Sequence, residues 1–206
     1  MSKIWVAVSQ RNTKFKWGDM SALENNYLEY FEEFDFRIIQ IPNITNHVES
    51  YFDEIPIKAV ILTGGGDVGH FLPRDKTEKK LIEIAIRRKL PVFGICRGLQ
   101  FINIFFGGKL KNIKGHVATT HEIKIIDPKL SKLLGKEKIE VNSYHNQGIT
   151  KSCLSPKLTP FAISNDGIVE GVCHKKYQIA GIMWHPERSS LNGVTNKKII
   201  KNFIGL

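Results

Sequence analysis

The sequence predicts an α/β fold: a mostly parallel central sheet flanked by helices, with additional antiparallel strands in the second half. Three observations carry this. Short apolar runs alternate with amphipathic stretches up to about residue 106, the pattern of strands joined by covering helices. Two of those runs, Ala59–Leu62 and Val92–Ile95, break at once into glycine-rich corners. Beyond residue 120, five apolar runs follow one another with turn signals between them.

Taken in order, Ile4–Val8 reads as a buried strand and Arg11–Lys16 as a polar loop. Ser21–Phe34 carries Leu23, Tyr27, Leu28, Tyr30, Phe31 and Phe34 on one helical face. Phe36–Ile41 is a second strand, closed by Pro42, and Val48–Phe52 a short helix. Ala59–Leu62 is the third strand, ending in Thr63-Gly64-Gly65-Gly66-Asp67. Asp75 with Glu78 three residues on resembles a capping box, opening a helix to about Lys89 with Leu81, Ile82, Ile84, Ala85 and Ile86 inward. Val92–Ile95 then leads into the amphipathic run Leu99–Phe106. Later strands are read at Glu122–Ile126, Ile139–Ser143, Leu158–Ser164, Ile168–His174 and Ile179–Trp184, with Asn165-Asp166-Gly167 as a hairpin turn. A helix over Asn192–Phe203 follows. No linker or repeat interrupts the 206 residues, so a single domain is expected.

Composition limits the function classes. Lys+Arg number 30 against 20 Asp+Glu, a formal charge of +10. Such a surplus suits an anionic partner, but no dense basic run is interleaved with aromatics, which argues against nucleic acid. No apolar run is long enough to span a bilayer, and the first residues read as a strand rather than a signal peptide. The three cysteines (Cys96, Cys153, Cys173) are odd in number and widely spaced, which speaks for free thiols and a cytoplasmic setting.

The chemistry centres on Gly94-Ile95-Cys96-Arg97-Gly98. Small residues two before and two after let a strand turn sharply into a helix, lifting the central side chain above the sheet edge. Free N–H groups at the helix start favour a thiolate there. A cysteine nucleophile needs a base, and the base an orienter. Among seven histidines (47, 70, 116, 121, 145, 174, 185), His185 follows a strand within Trp184-His185-Pro186-Glu187. In extended chain Glu187 falls on the same side as His185, two residues on, and orients its ring. Gly64, Gly65 and Gly66, with the N–H of Arg97, are candidates for an oxyanion site. In open sheets of this kind ligands gather beyond the strand carboxyl ends, where both corners lie.

Four segments in this order, Leu-Thr-Gly-Gly-Gly-Asp, Gly-Ile-Cys-Arg-Gly-Leu-Gln, Val-Asn-Ser-Tyr-His-Asn-Gln and Trp-His-Pro-Glu, resemble the class I glutamine amidotransferase fold over residues 58–190. Within it, Arg97 and Arg74-Asp75 resemble the stand-alone γ-glutamyl hydrolase branch, such as its γ-glutamyl-γ-aminobutyrate hydrolases, and with its basic surplus the chain is most similar to that branch's hydrolases of γ-glutamyl-CDP-amidate used for capsule phosphoramidate. The resemblance implies Cys96 as nucleophile, His185 as base and Glu187 as orienter. It implies that Gln100, Ser143, Tyr144 and His145 hold the glutamyl group. It implies a small-molecule γ-glutamyl substrate, with a nucleotide-linked leaving group suited to the basic surplus, and no cofactor. Arg11, just past the first strand, is the candidate contact on that leaving-group side. The alternative is a glutaminase subunit delivering ammonia to a separate synthase. His116 and His121 lack the spacing of a metal motif, and no metal is expected.

Overall fold

A computed structural model describes residues 4–43, 46–188 and 192–205 of the chain. Strand β1 (Ile4–Ser9) is followed by a hairpin of β2 (Arg11–Phe15) and β3 (Gly18–Ala22), helix α1 (Asn25–Glu32), β4 (Phe36–Ile41), α2 (Val48–Glu54) and β5 (Ile57–Leu62). Then come α3 (Leu72–Arg88), β6 (Val92–Ile95), α4 (Arg97–Phe105), β7 (Lys111–Asn112), β8 (Val117–Ile125), α5 (Pro128–Leu134) and β9 (Lys138–Tyr144). The chain ends through β10 (Gln147–Gly148), β11 (Leu158–Ser164), β12 (Val169–His174), β13 (Ile179–Ile182), a 3₁₀ turn at Pro186–Arg188 and α6 (Gly193–Ile204).

Nine strands form one sheet in the order β4-β1-β5-β6-β13-β12-β11-β8-β9. The pairings from β4 to β13 are parallel, and those from β13 to β9 are antiparallel. β13 is the hinge between the two regimes.

Alternate residues of the parallel strands feed two separate cores, as the pleat requires. Val6, Val8, Ile61, Phe93 and Ile95 join one cluster, with Tyr27, Tyr30 and Phe31 of α1 and Ile199, Ile200 and Ile204 of α6. Ala7, Val60, Leu62 and Val92 join the other, with α3 residues Leu81, Ile82 and Ala85 and α4 residues Leu99 and Ile102. Helices therefore cover both faces, as expected for a parallel sheet.

Three expectations change. Arg11–Lys16 is not a loop but the first strand of a hairpin, paired from Arg11↔Ala22 to Phe15↔Gly18. Its side chains are intermediate or exposed throughout, so it has no apolar alternation to reveal it. Helix α3 begins at Leu72, and Asp75 and Glu78 do not form a capping box: their carboxylates serve the ion network described below. Helix α5 is capped by Asp127, whose carboxylate accepts the Leu130 N–H at 2.7 Å, in a stretch where the sequence pattern predicts no helix.

Candidate active site

Three adjacent strand ends assemble the site. β6 pairs with β5 on one side, Gly94 opposite Leu62, and with β13 on the other, Ile95 opposite Ile182. The glycine corner, Cys96 and His185 therefore emerge side by side at the carboxyl edge of the sheet. The Cys96 N–H donates to the Ile182 carbonyl at 2.8 Å, fixing the corner to β13.

At the corner Cys96 takes φ 51° and ψ −105°, a backbone state that non-glycine residues rarely adopt. The flanking glycines make it possible. A Cβ on Gly94 would stand 2.5 Å from the Gly98 carbonyl carbon, and one on Gly98 would stand 2.1 Å from the Leu62 carbonyl oxygen. The turn closes only because both are bare.

His185 Nδ1 lies 2.6 Å from Glu187 Oε1, and both side chains are buried. The pair forms, but not by extended geometry: Pro186–Arg188 is a 3₁₀ turn, which brings residue i+2 back beneath the ring. Burial works against charge on His185. Negative charge at Cys96 and at Glu187 outweighs it and pushes the imidazole pKa up to about 9. The backbone of His185 is held at two points by Asn142, whose Oδ1 accepts from the His185 N–H at 2.8 Å and whose Nδ2 donates to its carbonyl at 2.7 Å.

The glycine segment is gripped from behind. Arg74 donates to the carbonyls of Thr63 (2.7 Å), Gly64 (3.1 Å) and Gly65 (2.6 Å). Its Nε reaches Glu78 at 2.9 Å, Ser9 Oγ donates to the same carboxylate at 2.9 Å, and Arg97 pairs with both Glu78 and Asp75. The Arg97 side chain is thus held in this network, and its backbone N–H stands at the start of α4, directly after Cys96. The Gly64 N–H donates to Tyr27 Oη at 2.9 Å, so of the expected oxyanion donors Gly65, Gly66 and Arg97 remain as candidates. Burial and then the Glu187 charge hold the Tyr27 phenol protonated, far above its ordinary range.

A pocket of about 200 Å³ opens over Cys96 and His185, bounded by Gly65, Gly66, Gln100, Tyr144, His145, Arg11 and Arg188. Gln100 Nε2 donates to the Gln147 carbonyl at 2.9 Å. Tyr144 stands edge-on to His185, ring centres 5.7 Å apart. Ser143 is the exception among the expected contacts: it does not bound the pocket, and its hydroxyl donates to the His116 carbonyl at 2.8 Å. Arg11 and Arg188 share Glu24 at the rim. A second cavity, of about 300 Å³, shares Gly65, Gly66, Asp67 and Arg97 with the first and extends to Asn12 and Lys14 on β2 and to His70 and Phe71.

Tyr27, Asn142, Glu24 and Arg188 do not stand out as site residues from sequence. Asn142 had a signal, since it lies within the Val141–Gln147 segment. The others reach the site through the fold alone. Chemically, the arrangement offers a sulfur nucleophile, an oriented imidazole and backbone donors around one small cavity, the parts needed for acyl transfer.

A family model described as Peptidase C26 matches residues 5–187. The chain is 37% identical over 163 residues to the γ-glutamyl-CDP-amidate hydrolase of Campylobacter jejuni, covering 76% of this chain and 74% of that one. It is 32% identical over 152 residues to the γ-glutamyl-γ-aminobutyrate hydrolase of Escherichia coli O157:H7, covering 64% and 59%. Among solved structures, a glutamine amidotransferase from Thermotoga maritima superposes with a TM-score of 0.66, over 98% of this chain and 83% of that one. At 17% identity that likeness concerns the fold.

Proposed function

This chain belongs to the Peptidase C26 family, and on that footing we propose that it hydrolyses a γ-glutamyl amide through a Cys96 thioester. The observation that carries the reading is the buried His185–Glu187 pair, 2.6 Å apart, set beside an elbow cysteine over one cavity.

In the first step the Cys96 sulfur attacks the γ-glutamyl carbonyl. The carbonyl oxygen becomes an oxyanion facing the N–H groups of Arg97 and of Gly65 or Gly66. His185 gives a proton to the departing nitrogen, so the amine leaves neutral and glutamyl remains on sulfur. In the second step His185 takes a proton from water, whose oxygen attacks the thioester. Cys96 is released and glutamate departs. Glu187 holds Nδ1–H throughout, so Nε2 is the nitrogen that exchanges protons. Gln100, Tyr144 and His145 form the wall for the glutamyl group.

For the leaving group we favour a phosphoramidate linked to a nucleotide, within capsule phosphoramidate assembly. The Campylobacter relative acts on γ-glutamyl-CDP-amidate. The adjoining cavity gives a larger group somewhere to lie. The lining of the two cavities holds Arg11, Lys14, Arg74, Arg97 and Arg188 with one carboxylate, Asp67, while Glu24, Asp75, Glu78 and Glu187 behind it pair with all of those cations but Lys14. Arg11 and Lys14 are the candidate phosphate contacts, and arginine's planar fork suits paired phosphate oxygens.

The test is a comparison of kcat/KM for γ-glutamyl-CDP-amidate, γ-glutamyl-γ-aminobutyrate and glutamine, at low and moderate salt, with product masses recorded. The nucleotide substrate is expected to be preferred, less so at higher salt and less so in Arg11→Ala. Cys96→Ala is expected to lose at least about a hundredfold in kcat with the fold intact. Equal turnover of all three at every salt concentration refutes the leaving-group assignment. Near-normal turnover by Cys96→Ala refutes the mechanism.

A further inference from the structure

Four side chains converge beside the Cys96 pocket, and one of them, His145, also lines it. His116 Nδ1, His121 Nε2 and His145 Nε2 lie 3.4, 3.6 and 3.6 Å from one oxygen of Glu170. The donor atoms of His116, His121 and Glu170 all fall within 4.8 Å of one another. These three nitrogens and both Glu170 oxygens have no hydrogen-bond partner, although Glu170 is wholly buried and His116 and His145 nearly so. A carboxylate is costly to bury unless it is paired or coordinates a metal.

The donors of His116, His121 and Glu170 are grouped as part of a coordination shell, and His145 stands outside that group but 3.6 Å from the same Glu170 oxygen. Donors at the ~2.0–2.2 Å of zinc–nitrogen and zinc–carboxylate bonds stand about 3.3–3.6 Å apart along the edges of a tetrahedron. The outer ring atoms are held as a metal site requires. His116 Nε2 is 2.9 Å from Asp166 Oδ2, and His145 Nδ1 is 3.1 Å from the Gln147 carbonyl. A carbonyl only accepts, so His145 carries its proton on Nδ1 and turns the Nε2 lone pair toward Glu170. Asp166 likewise takes the Nε2 proton of His116 and frees Nδ1. Such outer partners fix tautomer and ring orientation in histidine metal sites.

We propose that His116, His121 and Glu170 bind a divalent transition-metal ion of the zinc type in a structural role, with His145 closing in as the fourth ligand. Three imidazoles and one carboxylate suit zinc. The rival account is an ion pair of protonated His116 with Glu170 and Asp166. It balances the Glu170 charge but leaves the His145 lone pair facing that carboxylate.

The topology says what the metal does. β9 lies four places from β13 in the sheet order, yet Asn142 on β9 clasps the His185 backbone. The β8–β9 end must therefore curl back over the sheet. The four donors tie that curl to β12: His116 just before β8, His121 in the middle of β8, His145 just past β9, and Glu170 on β12. The His116 carbonyl also accepts from Ser143 Oγ at 2.8 Å and from the His145 N–H at 2.9 Å. A metal here staples the Asn142–His145 segment over the Cys96 pocket.

The test uses tag-free full-length protein carrying Cys96→Ala, so that the nucleophile cannot serve as a ligand. Metal content is read by mass spectrometry, and Co²⁺ is titrated into chelator-treated protein. One equivalent is expected, with the visible absorption of four-coordinate cobalt, displaced by Zn²⁺ and raising the melting temperature. Asp166→Asn should weaken binding by about 10–100-fold, and Glu170→Gln and His121→Ala should weaken it further. Should Glu170→Gln fail to fold, the other two variants decide. Folded Cys96→Ala protein that retains no metal and takes up no cobalt overturns the proposal. So does cobalt binding that all folded variants leave unchanged.

Discussion

Replacing Glu78 by glutamine tests the support beneath the glycine segment. Glu78 is fully buried, and its carboxylate accepts from Ser9 Oγ, Arg74 Nε and Arg97. Glutamine keeps the shape and one acceptor oxygen, but turns an NH₂ toward a guanidinium and leaves two buried cations with Asp75 as their remaining carboxylate. Breaking a buried pair from one side costs about 3–5 kcal/mol, because the stranded charge stays desolvated. At about 2–4 °C per kcal/mol for a chain of this size, the melting temperature should fall by roughly 6–20 °C. Glu83→Gln is the internal control. Its partner Lys79 is exposed, and such an i,i+4 pair contributes less than about 0.5 kcal/mol. Burial raises the Glu78 pKa, but Arg97 and Arg74 more than reverse this and hold it below its ordinary 4.5. Its stabilisation is therefore present above pH 4.5 and lost as pH falls through the lowered folded value, so wild type and Glu78→Gln should converge in acid. Urea and thermal melts across pH measure both effects. A Glu78→Gln protein no less stable than Glu83→Gln at pH 7 refutes the reasoning.

Gly98→Ala should be among the most damaging single-methyl changes, since the new Cβ falls 2.1 Å from the Leu62 carbonyl oxygen, which is backbone and cannot swing aside; soluble yield and melting temperature report it. His185→Asn should reduce turnover nearly as far as Cys96→Ala, and Glu187→Gln less. Iodoacetamide labelling of Cys96 should follow different pH profiles in wild type and His185→Asn, and identical profiles refute the pairing. Because the folded His185 pKa is raised, the stability from its charged ring is full below pH 6.5 and lost as pH rises through about 9, so the stability gap to His185→Asn should narrow over that window.

What the sequence revealed depended on how local the cause was. The Cys96 corner is written in five consecutive residues, because the steric demand that makes Gly94 and Gly98 necessary arises within one turn. The His185–Glu187 contact was legible for the same reason, although a 3₁₀ turn rather than extended chain delivers it. Parallel strands buried on both faces announced themselves as apolar runs. The β2–β3 hairpin did not, since neither of its faces is buried. Asp75 and Glu78 carried a local signal that pointed the wrong way: their spacing fits a helix start, but a partner 22 residues from Asp75 along the chain, Arg97, claims them. Glu24 and Arg188 meet across 164 residues, and His116 and Glu170 across 54, so no spacing rule could join either pair.

These distances in sequence follow from one property of the sheet. β13 pairs in parallel with β6 and antiparallel with β12, so the proposed reacting groups emerge from the parallel half and Tyr144 and His145 of the wall facing them come from the antiparallel half. Cys96 and the glycine segment are placed by short strands in the middle of the sheet, β6 buried throughout and β5 buried but for Lys58. Asn142, Tyr144 and His145 arrive from the far edge of the sheet, on a strand with one neighbour, β8. An edge strand that must reach back over the sheet has more freedom than a central one, and a pocket wall tolerates little of it: misplacement by about 1 Å can cost two orders of magnitude in rate. The two-point clasp of Asn142 on His185 fixes the near end of that wall. The His116–His121–His145–Glu170 cluster fixes its base, on the opposite side of Ser143. The buried polar groups of that cluster thus lie where the fold most needs a second anchor.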